Sequence, residues 1–299
     1  MIRRIVLFVS LFCAVLTVTA QQQPIRLPDI PVILQTPQDR ADYLVQHYWD
    51  NYNFNDTTLL SNQNITEQAF SNFLSILPYA PYTSVNRGIN KLMTSAAQCQ
   101  TTYRYFISLA SKYLYEPNSP FHNEEFYIPF LQHIVSASFL TETEKTTPKF
   151  RLEMALKNRI GTPATNLLFE TRQGRHTSLK KAITTPFTLL IFYDPDCDNC
   201  ITTQKELKTN DTLTELIQTR KLAVIAIYAE GDRKEWDRTK ASMPSNWTVC
   251  YDESQIDDHQ LYDLKAMPTL YLLDDHLNVL LKDASPQKVS SFLATRNKK

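Results

Sequence analysis

From Gly161 onward the chain alternates between strand-like apolar runs ("TNLLFET", "FTLLIFY", "LAVIAIY", "WTVCYD", "TLYLLD", "NVLLK") and segments with helical spacing ("CITTQKELKTNDTLTELIQTR", "GDRKEWDRTKAS", "DDHQLYDLK", "SPQKVSSFLATR"). Such alternation leaves few architectures open: a central mixed or parallel sheet covered by helices, the α/β class. Residues 36–159 carry the helical period instead. In "TPQDRADYLVQHYWDNYNF", Thr36 can cap a helix whose first position is Pro37 and whose apolar face is Ala41, Leu44, Val45, Tyr48, Trp49 and Tyr52. The same period recurs in "TEQAFSNFLSIL", from Pro81 to Tyr115, in "EEFYIPFLQHIVSASF" with a kink expected at Pro129, and in a helix expected from Thr147 to about Arg159. An all-helical domain over 36–159 therefore precedes an α/β domain over 160–299. The aromatics of the helical part, Trp49, Phe70, Phe73, Tyr103 and Phe106 among them, fall on apolar faces and are expected to form its core rather than a ligand groove.

Ahead of both domains, Arg3 and Arg4 precede an apolar stretch from Ile5 to Val18, and small residues lead to Ala20. This pattern predicts a signal peptide over 1–20, followed by an extended, proline-bearing linker over 21–35. The apolar run is shorter than the roughly 20 residues a span needs, so no stable membrane span is expected after cleavage, and the protein is expected to be exported. With 31 basic and 31 acidic side chains, the chain has no net field toward nucleic acid, which is excluded as a partner.

Removing the leader leaves Cys99, Cys197, Cys200 and Cys250. Four thiols are too few for a disulfide scaffold, so the cysteines point to a site. Cys99 is expected within a helix and Cys250 within a strand, each as a small buried hydrophobe, with pairing between them left open. In "FTLLIFYDPDCDNC" an apolar strand is broken by "DPD" and a helix opens near Cys197. A cysteine at a helix N-terminus meets the positive end of the macrodipole, and Cys200 lies one turn on, within disulfide reach. Attack by Cys197 and resolution by Cys200 is the chemistry this spacing permits. A permanent staple would constrain the unfolded chain little over so short a loop. A closed zinc site needs four ligands, and no second C-x-x-C completes one, so no metal is expected. Asp194, Asp196 and Asp198 surround Cys197. A carboxylate about 7 Å away opposes the thiolate by at most roughly 2 kcal/mol, while the helix terminus contributes about 0.3–2 kcal/mol the other way. If the acids prevail, the pair acts as a reductant.

Residues 161–297 resemble the thioredoxin-like thiol–disulfide oxidoreductases, particularly the exported branch of bacterial envelopes. The resemblance rests on "GTPATNLLFETRQGRHTSL", "LLIFYDPDCDNC" and the later "AMPTLYLLD". It implies a thioredoxin-like fold in the periplasm or cell envelope, with Cys197 and Cys200 catalytic. It also implies a cis Pro268, flanked by Met267 and Thr269, that holds an extended substrate strand. The peroxiredoxin pattern is not met, because Asp194 stands where that family has threonine or serine. The sequence departs from the oxidoreductases at Asp196, where an aromatic is usual, and at Ile191 and Thr203, where a buried acid often accepts a proton. Glu206 is the nearest acid, one helical turn further. Residues 36–159, from "YLVQHYWDNYNFND" and the domain order, are similar to a helical domain of unknown function found in exported proteins of Bacteroides-type bacteria. The resemblance implies disulfide exchange with exported proteins that carry cysteines, no dissociable cofactor, and an electron donor that the sequence does not name. The alternative is a binding or assembly protein whose thioredoxin-like domain is catalytically idle and whose helical domain grips a partner.

Overall fold

The computed structural model describes residues 25–61, 65–229 and 231–296. The expected signal peptide, 1–20, and the first residues of the expected linker lie outside the described residues. From Ile25 to Gln35 the backbone is extended or turned, with Ile25 buried against the helices while Val32 and Ile33 are 91% and 84% exposed.

The helical part comprises α1 (Pro37–His47), α2 (Thr66–Ile76), α3 (Tyr82–Ala96), α4 (Gln100–Ala110), a π-helical turn (Ser111–Tyr115), α5 (Glu124–Ser136) and α6 (Glu142–Leu156). The Thr36 hydroxyl accepts the Asp39 N–H and starts α1. Tyr48, Trp49, Phe70, Phe73, Tyr103 and Phe106 are buried in one core, with Trp49 edge-on to Phe106 at 5.2 Å between ring centroids. Each such ring removed from water contributes about 1.5–3 kcal/mol, which decides for core packing over a ligand groove.

Four helical expectations are corrected, the fourth at Asn210 in the second domain. The last helix begins at Glu142, not Thr147, because Thr141 and Glu144 form a reciprocal capping box, and Pro148 is accommodated in the helix interior. Cys99 is not helical: it is the half-exposed, extended residue between α3 and α4, its carbonyl accepting the Tyr103 N–H. The segment from Asp257 to Lys265 forms turns rather than a helix, since Gln255 and Gln260 take left-handed backbone conformations and Asp252 ties the Ser254 and Ile256 amides.

The second domain is a seven-stranded mixed sheet of β1 (Leu168–Thr171), β2 (His176–Ser178), β3 (Phe187–Tyr193), β4 (Leu222–Tyr228), β5 (Thr248–Asp252), β6 (Thr269–Asp274) and β7 (Val279–Leu281). The strand order is β2-β1-β5-β4-β3-β6-β7. β3 pairs parallel to β4 and antiparallel to β6, which explains its unbroken apolar sequence: both faces are covered. Leu189, Ile191 and Tyr193 face one layer, and Leu190 and Phe192 the other. Short α7 (Leu179–Ala182) follows β2; neither was evident from periodicity, being too brief to display one. The remaining helices are α8 (Asp198–Thr209), α9 (Asp211–Gln218), α10 (Arg233–Thr239) and α11 (Pro286–Arg296). The segment read as one helix from Cys197 to Arg220 is thus two, separated at the extended residue Asn210.

The two parts are joined by buried charge. Lys265 Nζ lies 2.6 Å from Glu124, 3.0 Å from Asp263 and 3.0 Å from Asp283. Lys282 Nζ lies 2.7 Å from Glu124 and donates to the Met154 and Lys157 carbonyls that end α6. Arg159 clasps both oxygens of Glu125, and Asn158 donates to the Leu261 carbonyl.

Candidate functional site

The site is built where β3 gives way to α8. Tyr193 ends the strand, the turn at 194–197 returns the Cys197 N–H to the Asp194 carbonyl at 3.3 Å, and Cys197 is the extended residue that precedes the first turn of α8. Its half-buried Sγ donates to the Met267 carbonyl at 3.5 Å. Cys200, one turn on, is only 7% exposed, and its Sγ accepts the Asp194 N–H at 3.5 Å. All four described cysteines are free thiols, so Cys99 and Cys250 are unpaired. Burial pushes the Cys200 thiol up to about 12, the Asp194 N–H counteracting in part and the neighbouring Cys197 and Asp194 adding to the rise.

Opposite the cysteines, the peptide bond between Met267 and Pro268 is cis, and Thr269 opens β6, its hydroxyl donating to the Ala266 carbonyl at 2.6 Å. The antiparallel pairing of Phe192 with Thr269 brings this segment to the end of β3, where the cysteines are. Ile191, Tyr193, Cys200, Thr203, Trp247 and Pro268 line a cavity of about 180 Å3 behind the pair. Tyr193 Oη is buried there without a protein hydrogen-bond partner.

The acids divide. The Asp194 carboxylate accepts the Asp196 N–H at 3.0 Å, and Asp198 lies in the first turn of α8. Asp196 is 3.6 Å from the guanidinium of Arg238 on α10, whose main partner is Glu235, so the charge around Cys197 stays negative. Glu206 is turned away and accepts from Gln287 of α11 at 3.0 Å, so it is no proton acceptor for Cys200.

A second groove, of about 330 Å3, opens beside Pro268 between the two domains. Its walls are Asn118 and His122 of the helical part and Asn199, Met267 and Pro268 of the other, with Asp283 and Lys265 among them. Met267 and Pro268 are expected from the sequence; Asn118, His122, Asn199, Lys265 and Asp283 are not. Lys265, three residues before Pro268, was open to suspicion by position; His122 and Asp283 meet only through the fold. Glu170, His176 and Glu253 gather three potential metal-ligating atoms, but Arg233 clasps Glu170, and His176 and Glu253 lie 2.7 Å apart.

Residues 13–158 match the family described as a domain of unknown function (DUF5106), and residues 179–281 match the family described as a thioredoxin-like domain. A thioredoxin-like protein of Bacteroides caccae is 41% identical, with 91% of this chain and 98% of that one covered and a TM-score of 0.86. The C-terminal domain of an uncharacterized protein of Bacteroides fragilis is 37% identical over 46% of this chain and 98% of that one, with a TM-score of 0.44. No curated protein matches. The chain therefore belongs to the thioredoxin-like proteins, in the form that carries an N-terminal helical domain of unknown function.

Proposed function

We propose that this protein is an exported thiol–disulfide oxidoreductase that reduces disulfides in other exported proteins. One observation carries the reading: Cys197 is half-buried at the start of α8 with its Sγ on the Met267 carbonyl, and the free thiol of Cys200 is buried one turn behind it. The Cys197 thiolate attacks one sulfur of a substrate disulfide. A mixed disulfide forms, and the other sulfur leaves as a thiolate that takes up a proton. Cys200 then gives up its proton and attacks Cys197 Sγ. The mixed disulfide breaks, the substrate leaves as a dithiol, and the protein keeps a bond between Cys197 and Cys200. Two electrons and two protons have passed to the substrate, and a dithiol protein or small thiol returns them for turnover.

The reducing direction is supported by the pair's surroundings. A strong oxidant gains its potential from a stabilised thiolate in the reduced form. Here burial holds Cys200 as the thiol, and Asp194 and Asp198 add negative charge beside Cys197. Export is supported by the leader pattern of residues 1–20; no helix among the described residues is long and apolar enough to cross a membrane.

The test is a redox titration of the mature protein with Cys99 and Cys250 changed to serine, its free thiols counted by mass spectrometry. A reversible two-electron transition between about −200 and −270 mV is expected, the reducing part of the range of exchange catalysts. A bond that resists reduction below about −300 mV would make the pair a staple and transfer function to partner binding by the helical domain.

A further inference from the structure

We infer that the helical domain is a positioning element of the exchange site: Glu124 and Asn158 fix the segment 260–268, and with it the Met267 backbone that faces Cys197 and is to receive an extended substrate chain. The inference rests on the exchange reading and adds to it a role for the first domain and two positioning residues. Between β5 and β6 the chain is irregular, and among the described residues no backbone–backbone hydrogen bond involves residues 262–267. A backbone without a ladder takes its place from its side chains. Tyr262 anchors one end, packed against Phe192 and Tyr271 with its hydroxyl donating to the Thr165 carbonyl at 2.6 Å. Thr269, the first residue of β6, anchors the other.

The stretch between is held from the helical side. Lys265, two residues before Met267, sets its ammonium 2.6 Å from Glu124, the first residue of α5, and 5.3 Å from the centroid of the Tyr115 ring. Asp263 and Asp283 lie 3.0 Å away on its other sides, so of the three carboxylates Glu124 is the one that crosses from the helical domain. Upstream, Asn158 donates to the Leu261 carbonyl at 2.8 Å while its side-chain oxygen accepts the Thr165 N–H at 2.7 Å, and Lys157 donates to the Gln260 carbonyl at 3.1 Å. Asn158 is buried and has a φ of 48°, a left-handed conformation that asparagine tolerates. Two residues of chain span at most about 7 Å, so a shift of Lys265 is passed on to Met267. A disulfide carried on a chain that pairs with the Met267 backbone depends on this placement, whereas a small disulfide that reaches Cys197 from solvent does not. Misplacing a docking group by about 1 Å can cost as much as about 100-fold in rate.

Two disulfides serve as probes: an extended peptide whose central cysteine is disulfide-bonded to 5-thio-2-nitrobenzoate, and dithiobis(nitrobenzoate). Release of the nitrobenzoate by the reduced mature protein, with Cys99 and Cys250 changed to serine, gives a rate for each, and the peptide rate is divided by the other. Asn158→Gly keeps the left-handed backbone and removes the clasp, and Glu124→Gln removes the charge that holds Lys265. In both, the ratio is expected to fall about tenfold while dithiobis(nitrobenzoate) reacts within about twofold of the unaltered rate. Gly88→Ala, which destabilises the helical domain away from the seam, is expected to leave the ratio unchanged. If circular dichroism shows Glu124→Gln unfolded, Asn158→Gly decides alone. A ratio that stays within about twofold of its starting value in Asn158→Gly, or one that Gly88→Ala lowers as far, would overturn the positioning role. Failure of both disulfides to react would overturn the exchange reading itself, and the positioning role with it.

Discussion

The two thiols of the candidate site differ in their surroundings, and this makes the roles proposed for them separable. Cys197 is partly accessible, and Cys200 is enclosed by Ile191, Tyr193 and Pro268. Cys197→Ser is expected to abolish exchange with circular dichroism unchanged, whereas Cys200→Ser should accumulate a mixed disulfide with substrate, visible as an added mass. Because burial holds Cys200 as the thiol toward about 12, its thiolate fraction rises about tenfold per pH unit across the neutral range, and the resolving step should rise with the same slope. The stability sign is opposite. The folded reduced protein keeps a proton that the unfolded chain releases above about pH 8.5, so stability falls as pH rises from about 9 toward 12. Urea midpoints of the reduced protein at pH 8 and pH 10.5 should show this loss, and Cys200→Ala should lessen it.

At the level of elements, the junction of α8 and α9 shows how one polar residue redirects a helical run. Asn210 adopts an extended conformation, and its side-chain oxygen accepts the Leu213 N–H at 3.1 Å, so it ends one helix and starts the next. The bend lets Leu207, Leu213 and Leu216 all reach the sheet, which a straight helix of that length would not allow. Asn210→Ala is expected to destabilise the fold by about 1 kcal/mol in urea unfolding. A sharper dependence marks the contact of α1 with α3. A Cβ on Gly88 would lie 2.5 Å from the Val45 carbonyl oxygen and 2.8 Å from its Cγ1, so Gly88→Ala should cost about 1–3 kcal/mol by forcing the helices apart.

For the molecule as a whole, the buried charges at the seam couple the domains. Glu124 contacts both Lys265 and Lys282, and Glu124→Gln leaves two buried ammoniums short of a counter-charge. A loss of about 3–5 kcal/mol is expected, with the single unfolding transition splitting into two as each domain melts alone. Acid should act on the same seam. Burial alone would raise the Asp283 carboxyl, but His122, Lys265 and Lys282 outweigh it and hold it at about 2. Its contribution is present above about pH 4 and is lost as pH falls through 2, so scattering should report domain separation in that interval before secondary structure is lost.

Local information was sufficient for much of this. Periodicity and apolar runs determined the α/β class of the second domain, the helical character of the first and the strands β3 and β4, because burial of one helix face or both sheet faces leaves its mark on consecutive residues. Cys197 and Cys200 were visible by their spacing after an apolar strand, and Pro268 only through the resemblance of "AMPTLYLLD" to the thioredoxin-like proteins. The break at Asn210, the start of α6 at Glu142 and the turns after Asp252 escaped, since each depends on which of several competing caps the packed fold rewards. Only the tertiary structure decided that Arg238 lies near Asp196, that Cys197 meets the Met267 carbonyl, and that His122 and Asp283 form one wall beside Pro268. Charges and cavities between distant segments arise from sheet order and domain docking, and no local run of residues encodes them.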